Sequence, residues 1–184
     1  MKQSKGAEAI VTTSKFIGRK VVVKDRVVKN YRNKELDEKL RRERTRREAR
    51  LLHKAKLAGV SCPTVLAVEE FKLTLEFVKG KRKIDGGIAK QAGEILAKLH
   101  NADIIHGDFT PANLLFENGK LVVIDFGLGF VSSDIEDKAI DVLTMLKMIN
   151  TEEGEKFVEG YRKCNKFDQI EKRIEQVKKR ARYA

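Results

Sequence analysis

The sequence predicts an α+β fold in two small lobes, a sheet-rich lobe over residues 1–80 carrying one long helix, and a mostly helical lobe over residues 81–184. Three observations carry this. β-Branched runs crowd the first part of the chain, apolar residues recur at helical spacing after Ile88, and a Gly- and Lys-rich stretch at residues 80–87 separates the two patterns. The chain has 184 residues, enough for a sizeable core.

The elements follow in order. Residues 9–14 and 17–24 hold Ile10-Val11-Thr12-Thr13 and Val21-Val22-Val23 around Gly18, a hairpin signal, and Val27-Val28 extends a further strand. Residues 34–58 read as a long helix with a partial apolar stripe of Leu36, Leu40, Ala49, Leu51, Leu52 and Ala55, ended by Gly59 with Pro63 beyond. Residues 65–68 and 73–78 read as paired strands. After the break, Ile88, Ala92, Ile95, Leu96 and Leu99 mark a helix. Leu114-Leu115-Phe116 and Leu121-Val122-Val123-Ile124 flank an Asn118-Gly119 turn, and helices near 135–150, 153–163 and 167–181 complete the chain.

One stretch carries the chemistry. Ile104-Ile105-His106-Gly107-Asp108 runs on to Asn113, and Val122-Val123-Ile124-Asp125-Phe126-Gly127 follows. Asp108 and Asn113 have the Asp-x-x-x-x-Asn spacing of a phosphotransferase catalytic loop, and Asp125 opens an Asp-Phe-Gly triplet after an apolar run. Phosphoryl transfer is chiefly positioning and charge neutralisation. One carboxylate orients the attacking hydroxyl or water, while another carboxylate and an amide oxygen hold metal ions on the phosphates. Both motifs, in this order, predict a minimal bilobal protein-kinase-like fold that uses ATP and Mg²⁺.

Such a site needs a basic residue on an upper strand and a helix glutamate to pair with it. Val21-Val22-Val23-Lys24 supplies Lys24, with Lys29 as the competitor; Glu48 precedes apolar residues and is the helix partner, with Glu43 as the alternative. A phosphate-binding loop is reduced to Lys5-Gly6-Ala7-Glu8-Ala9, whose single glycine makes a short backbone nest. His106-Gly107-Asp108 lacks the arginine that reads a phosphorylated activation segment, and no Ala-Pro-Glu follows Leu128-Gly129-Phe130-Val131. These absences leave little platform for a peptide substrate.

Charge is the second compositional fact. The formal net charge is +12, which favours acidic partners such as nucleic acid. Arg41, Arg42, Arg44, Arg46, Arg47, Arg50, Lys54 and Lys56 crowd the long helix, offset by Glu35, Asp37, Glu38, Glu43 and Glu48. That helix reads equally as a solvated face or an RNA contact, whereas the tail from Lys172 to Arg182 leans towards an acidic partner. No stretch has the apolar length to cross a bilayer, and the first residues lack the core of a secretion signal. Cys62 and Cys164 lie far apart, so free thiols in a reducing cytoplasm are expected.

The chain resembles a known family, the small atypical kinase/ATPase subunit of the KEOPS (EKC) complex in its archaeal form. The likeness covers nearly the whole chain. It rests on Gly6-Ala7-Glu8-Ala9, on Lys24-Asp25-Arg26-Val27-Val28-Lys29-Asn30-Tyr31-Arg32, on Leu36-Asp37 and Arg44 to Leu52, on His106 to Asn113, and on Asp137 to Asp141. It implies Lys24 on the phosphates with Glu48 as its partner, Asp108 as catalytic aspartate, and Asn113 and Asp125 as Mg²⁺ ligands. It also implies that the backbone of Glu76, Phe77 and Val78 holds adenine, and that Gly6, Ala7, Glu8 and Ala9 cover the phosphates of ATP. The family's members hydrolyse ATP, show a weak serine/threonine kinase activity, dock on a threonylcarbamoyl-transferase subunit beside other KEOPS subunits, and support threonylcarbamoyladenosine formation in tRNA. The resemblance implies that the basic C-terminal tail helps engage the transferase subunit and tRNA; the basic helix is the other candidate tRNA contact, on its charge alone, and the expected location is cytoplasmic. Val142-Leu143-Thr144-Met145-Leu146-Lys147 departs from the family's usual pattern after Asp141. A stand-alone RIO-like or small-molecule phosphotransferase is the alternative reading.

Overall fold

A computed structural model describes residues 3–5 and 9–182. Five antiparallel strands form the first sheet in the order β1-β2-β3-β5-β4, where β1 is Gln3–Lys5, β2 Ala9–Phe16, β3 Arg19–Arg26, β4 Val65–Val68 and β5 Lys72–Glu76. The β2–β3 hairpin turns on Ile17 and Gly18, both at positive φ (48° and 73°). Two successive left-handed residues are what a tight two-residue hairpin demands. Ile17 is therefore a turn residue rather than the start of a strand, and it is 85% exposed.

Between β3 and β4 lies α1, Lys34–Leu57. Asn33 caps its first turn by accepting the Glu35 N–H, and Gly59, at φ 74°, reverses the chain after it. The helix buries Leu51, Leu52 and Ala55 in its second half, and Asp37, Thr45 and Glu48 earlier on the same stripe. The apolar stripe looked partial in the sequence because its N-terminal continuation is polar. Val27-Val28 forms no further strand; β3 ends at Arg26, and the loop after it is gathered around buried Asp37. That carboxylate accepts from the Lys29 N–H (3.3 Å) and from Arg41 Nε (2.7 Å).

The remainder is built on α2 (Gly86–Asn101), α3 (Ile135–Leu146), α4 (Thr151–Tyr161) and α5 (Phe167–Arg182). Small antiparallel pairs, β6 (Ile104–Ile105) with β9 (Phe130–Val131) and β7 (Leu114–Glu117) with β8 (Lys120–Val123), hold the loops between α2 and α3. α2 and α4 cross closely through glycines: a Cβ on Gly93 would stand 2.0 Å from the Phe157 carbonyl oxygen, and one on Gly160 would stand 2.0 Å from that of Lys90. One continuous apolar core runs from Leu51 and Leu52 through Leu73 and Leu96 to Phe109, Val142, Phe157 and Ile170. Among the described residues, no helix is long and apolar enough to cross a membrane.

Candidate active site

The strand period brings the first pair of charges inward. Lys24 and Arg26 sit two residues apart on β3, so both side chains leave the same face of the sheet. Lys24 Nζ lies 2.8 Å from Glu48 Oε1 and 2.6 Å from Asp125 Oδ1. Arg26 Nη2 lies 2.6 Å from Glu48 Oε2, with both side chains almost fully buried. Glu48 thus serves two cations at once, which offsets the cost of removing its charge from water. Of the candidate pairings, Lys24 and Glu48 meet, whereas the Lys29 backbone is tied to Asp37 and Glu43 is exposed.

The opposite wall comes from the loop after β6. Asn113, at the end of a 3-10 turn over Pro111–Asn113, donates from Nδ2 to both the carbonyl oxygen and Oδ2 of Asp108, each at 2.9 Å. Its Oδ1 has no hydrogen-bond partner among the described residues, so the amide presents a free acceptor beside two carboxylates. Asp125 follows β8 in a left-handed conformation (φ 63°) that a non-glycine residue rarely adopts, and the Gly127 N–H bonds its Oδ1 at 3.1 Å. Burial alone would raise its pKa, but the Lys24 ammonium and the Gly127 N–H together hold it below the usual aspartate value.

The loop is supported from beneath. Asp141 on α3 accepts from the backbone N–H groups of His106 (2.7 Å) and Gly107 (3.0 Å). His106 is buried, and burial pushes its pKa down, so the ring is neutral. Its Nε2 faces the Ile124 carbonyl at 3.1 Å and must be the donor, which leaves Nδ1 to accept from the Asp108 N–H at 3.3 Å. Gly107 is at φ 78°, and a Cβ there would meet the Leu128 carbonyl oxygen at 2.6 Å. That crowding explains why glycine, and no larger residue, precedes Asp108.

A cleft of about 350 Å³ joins these parts. Val11, Val22 and Leu75 line it from the sheet, Leu115 and Ile124 from the opposite side, and Lys24, Glu48, Asn113 and Asp125 face it with polar atoms. Glu76 and Val78 line the cleft, but Phe77 does not: its ring lies under the Lys20 ammonium, 3.7 Å from the centroid. Any role of Phe77 towards a nucleotide is confined to its backbone. Ala9 is buried at the start of β2, paired with Arg26, and is not among the lining residues either. Gly6, Ala7 and Glu8 lie outside the described residues. A larger open groove, about 700 Å³ between α3, α4 and α5, has apolar walls but no comparable convergence of carboxylates and a buried lysine.

The donor set fits a hard cation shared with phosphates. Among the described residues, no three His, Cys, Asp or Glu side chains cluster tightly enough to cage a metal alone. Asp125 and Asn113, which line the same cleft, suit Mg²⁺, which keeps several waters and binds through one or two protein oxygens plus substrate phosphate.

Sequence reasoning passed over three residues here. Arg26 was visible only within a longer motif; its position two residues after Lys24 was the available signal. Arg82, whose Nε donates to the Ala112 carbonyl at 2.8 Å, lines the cleft from the segment after β5 without any local signature. Asp141 acts across 34 residues of sequence on Gly107.

Comparison with known proteins accords with this geometry. Residues 9–148 match the RIO domain family. The chain is 41% identical over 97% of its length to a probable bifunctional tRNA threonylcarbamoyladenosine biosynthesis protein of Methanosarcina acetivorans, but it spans only 35% of that relative. It is 38% identical to a probable serine/threonine-protein kinase BUD32 homolog of Archaeoglobus fulgidus, covering 89% of this chain and 88% of that one. Among solved structures, the Rio2 kinase of Chaetomium thermophilum in an ADP/Mg²⁺-phosphoaspartate complex superposes with a TM-score of 0.69 at 13% identity, over all of this chain and 71% of the other. That likeness shows a protein-kinase-like fold. The chain belongs to the RIO-domain family, among its archaeal BUD32-type kinase homologues.

Proposed function

We propose that this chain is an ATP-dependent atypical serine/threonine kinase that also hydrolyses ATP, and that it serves threonylcarbamoyladenosine formation in tRNA as a subunit of a KEOPS-type assembly in the cytoplasm. The observation that carries the catalytic part is the Lys24 ammonium held between Glu48 (2.8 Å) and Asp125 (2.6 Å) at the cleft. The biological setting is supported by the relatives' names at about 40% identity. The reading divides the chain into lobes at 1–80 and 81–184, with Glu76, Phe77 and Val78 as the hinge whose backbone would hold adenine.

In this reading Val11, Val22, Leu115 and Ile124 enclose the base, and the phosphates extend towards Lys24. Phosphate oxygens compete with Asp125 for the Lys24 ammonium, while Glu48, kept in place by Arg26, maintains the lysine's position. Mg²⁺ bound with the nucleotide would supply charge neutralisation on the phosphates, and Asp125 and Asn113 are the residues that would hold it. Asp108, its carboxylate steadied by Asn113 Nδ2, orients the attacking hydroxyl or water. The attacking oxygen bonds to the γ-phosphorus as the bond to the β,γ-bridging oxygen breaks, and Asp108 accepts the attacker's proton. Water gives ADP and inorganic phosphate; a Ser or Thr hydroxyl gives a phosphoprotein and ADP. Only residues 128–134 separate the Asp-Phe-Gly turn from α3, which favours water or an acceptor presented by a partner protein.

The test is ATP turnover by wild type and Asp108→Ala, each alone and with an archaeal threonylcarbamoyl-transferase subunit plus tRNA. Turnover that rises with the partner and is lost in the variant supports the reading. Strong partner-independent transfer to a small acceptor would instead favour a stand-alone phosphotransferase.

A further inference from the structure

We infer that the outer face of α1 is a binding surface for the phosphate backbone of RNA, and that α1 rather than the C-terminal helix is the principal RNA contact. That the RNA is tRNA rests on the function proposed above; the surface itself rests on charge and geometry. α1 has two faces. Glu48, Leu51, Leu52 and Ala55 are buried, while Arg46, Arg47, Arg50 and Lys54 are exposed. Arg46, Arg50 and Lys54 recur every four residues, about 6 Å of helix rise each, so the cations form a strip roughly 12 Å long. Among the described residues, none of these four cations has an acidic partner within ion-pair distance. Glu70, at the edge of the strip, is engaged by Arg42, and exposed Glu43 forms no ion pair with Arg46 or Arg47.

The C-terminal helix differs in this respect. Arg173 and Arg180 on α5 reach back to Glu136 of α3 at 3.6 and 3.4 Å, and Lys178 meets Glu175 at 3.4 Å. Those three cations are partly neutralised within the fold; Lys172 and Lys179, with Lys166 before the helix, have no ion pair among the described residues, so α5 offers fewer unneutralised cations than the four that line α1. A regular line of unneutralised cations suits a repeating phosphate chain. A protein partner would call for an apolar centre, and none lies within the strip.

Two charge-matched variants of the full chain separate the surfaces: Arg47→Gln, Arg50→Gln, Lys54→Gln on α1, and Lys166→Gln, Lys172→Gln, Lys179→Gln at and before α5. Glutamine is nearly as good a helix former as Arg or Lys, so both should melt like wild type. Affinity for an unmodified tRNA transcript is measured against salt concentration. The α1 variant should bind about tenfold or more weakly, with the log–log salt slope reduced by about 2–3, and the α5 variant should lose much less. An unrelated RNA hairpin should lose affinity in parallel, because phosphate contacts carry no sequence information. Equal loss in both variants, greater loss in the α5 variant, or an unchanged α1 variant overturns the inference. Failure of wild type to bind the transcript overturns it together with the tRNA part of the proposed function, whereas loss of ATP turnover in Asp108→Ala bears on the catalytic part alone.

Discussion

Replacing Arg26 by Met removes the guanidinium that lies 2.6 Å from Glu48 Oε2 while leaving Lys24 at 2.8 Å from Oε1. Arg26 and Glu48 are 3% and 1% exposed, so water cannot readily replace the lost donor. Stripping a buried ion of its only partner costs roughly 3–5 kcal/mol. Glu48 keeps one cation, so the loss should resemble that of a single hydrogen bond to a charged group, about 2–3 kcal/mol. In a domain of this size that lowers Tm by roughly 4–12 °C. Thermal melts of wild type, Arg26→Met, Glu48→Gln and the double variant form a cycle, and the coupling between the two sites should be about 1.5 kcal/mol or more. Arg26→Lys should recover only part of the loss, because an ammonium cannot reproduce the planar fork. A change in stability of less than about 0.5 kcal/mol for Arg26→Met, or additive single variants, would refute this view of Glu48 as a doubly held carboxylate.

Other consequences are as specific. Gly107→Ala forces a side chain into a left-handed position 2.6 Å from the Leu128 carbonyl, and should cost about 1–3 kcal/mol while slowing ATP turnover; unchanged stability and rate would contradict the crowding. Gly93→Ala should destabilise by about 1–3 kcal/mol or more by parting α2 from α4, with ATP affinity per folded molecule retained; a melt like that of wild type would disprove the close crossing. His100 and His106 are held neutral by burial, so below their ordinary value of 6.5 the unfolded chain binds protons that the fold refuses. Stability therefore falls as pH drops through that window, by up to about 1.4 kcal/mol per pH unit for each ring, and a Tm that stays flat between pH 7 and 5 would exclude it. The Lys24–Asp125 contribution has the depressed-carboxylate sign: it is complete above the ordinary aspartate value of 3.8 and lost as pH falls through the lower folded value, a separate acidic window.

The legible parts of this chain are those with local causes. α1 could be placed because its apolar stripe and its terminating Gly59 are local features of the sequence, whereas its Asn33 cap emerged only in the structure. The Asn118-Gly119 turn was equally readable, since both residues adopt the positive φ that such a hairpin needs. Ile17 was misplaced into a strand because a β-branched residue is a poor candidate for a left-handed turn, and the pairing of β2 with β3 overrides that preference. The short β6 and β9 were invisible because a two-residue strand has no period. At the site, Asp108, Asn113 and Asp125 were marked by spacing, and Lys24 by its strand. Arg26 and Asp141 act through space on Glu48 and on the loop from His106 to Asn113, and the acids that neutralise α5 come from another helix as well as its own. Such contacts leave no pattern in a single sequence. Phe77 shows the converse: the resemblance places it at the hinge, but its ring lies under the Lys20 ammonium, and Glu76 and Val78 on either side line the cleft without it.

ATP binding and ATP hydrolysis, measured in the presence of Mg²⁺ on the same preparations of wild type, Lys24→Met and Asp108→Ala, test the central claim most directly. A lysine on the phosphates and an aspartate on the nucleophile predict that Lys24→Met weakens binding, while Asp108→Ala binds like wild type yet turns over about 10²–10⁴-fold more slowly. Undiminished hydrolysis by Asp108→Ala in a preparation free of contaminating ATPase, or unchanged binding by Lys24→Met, would contradict it.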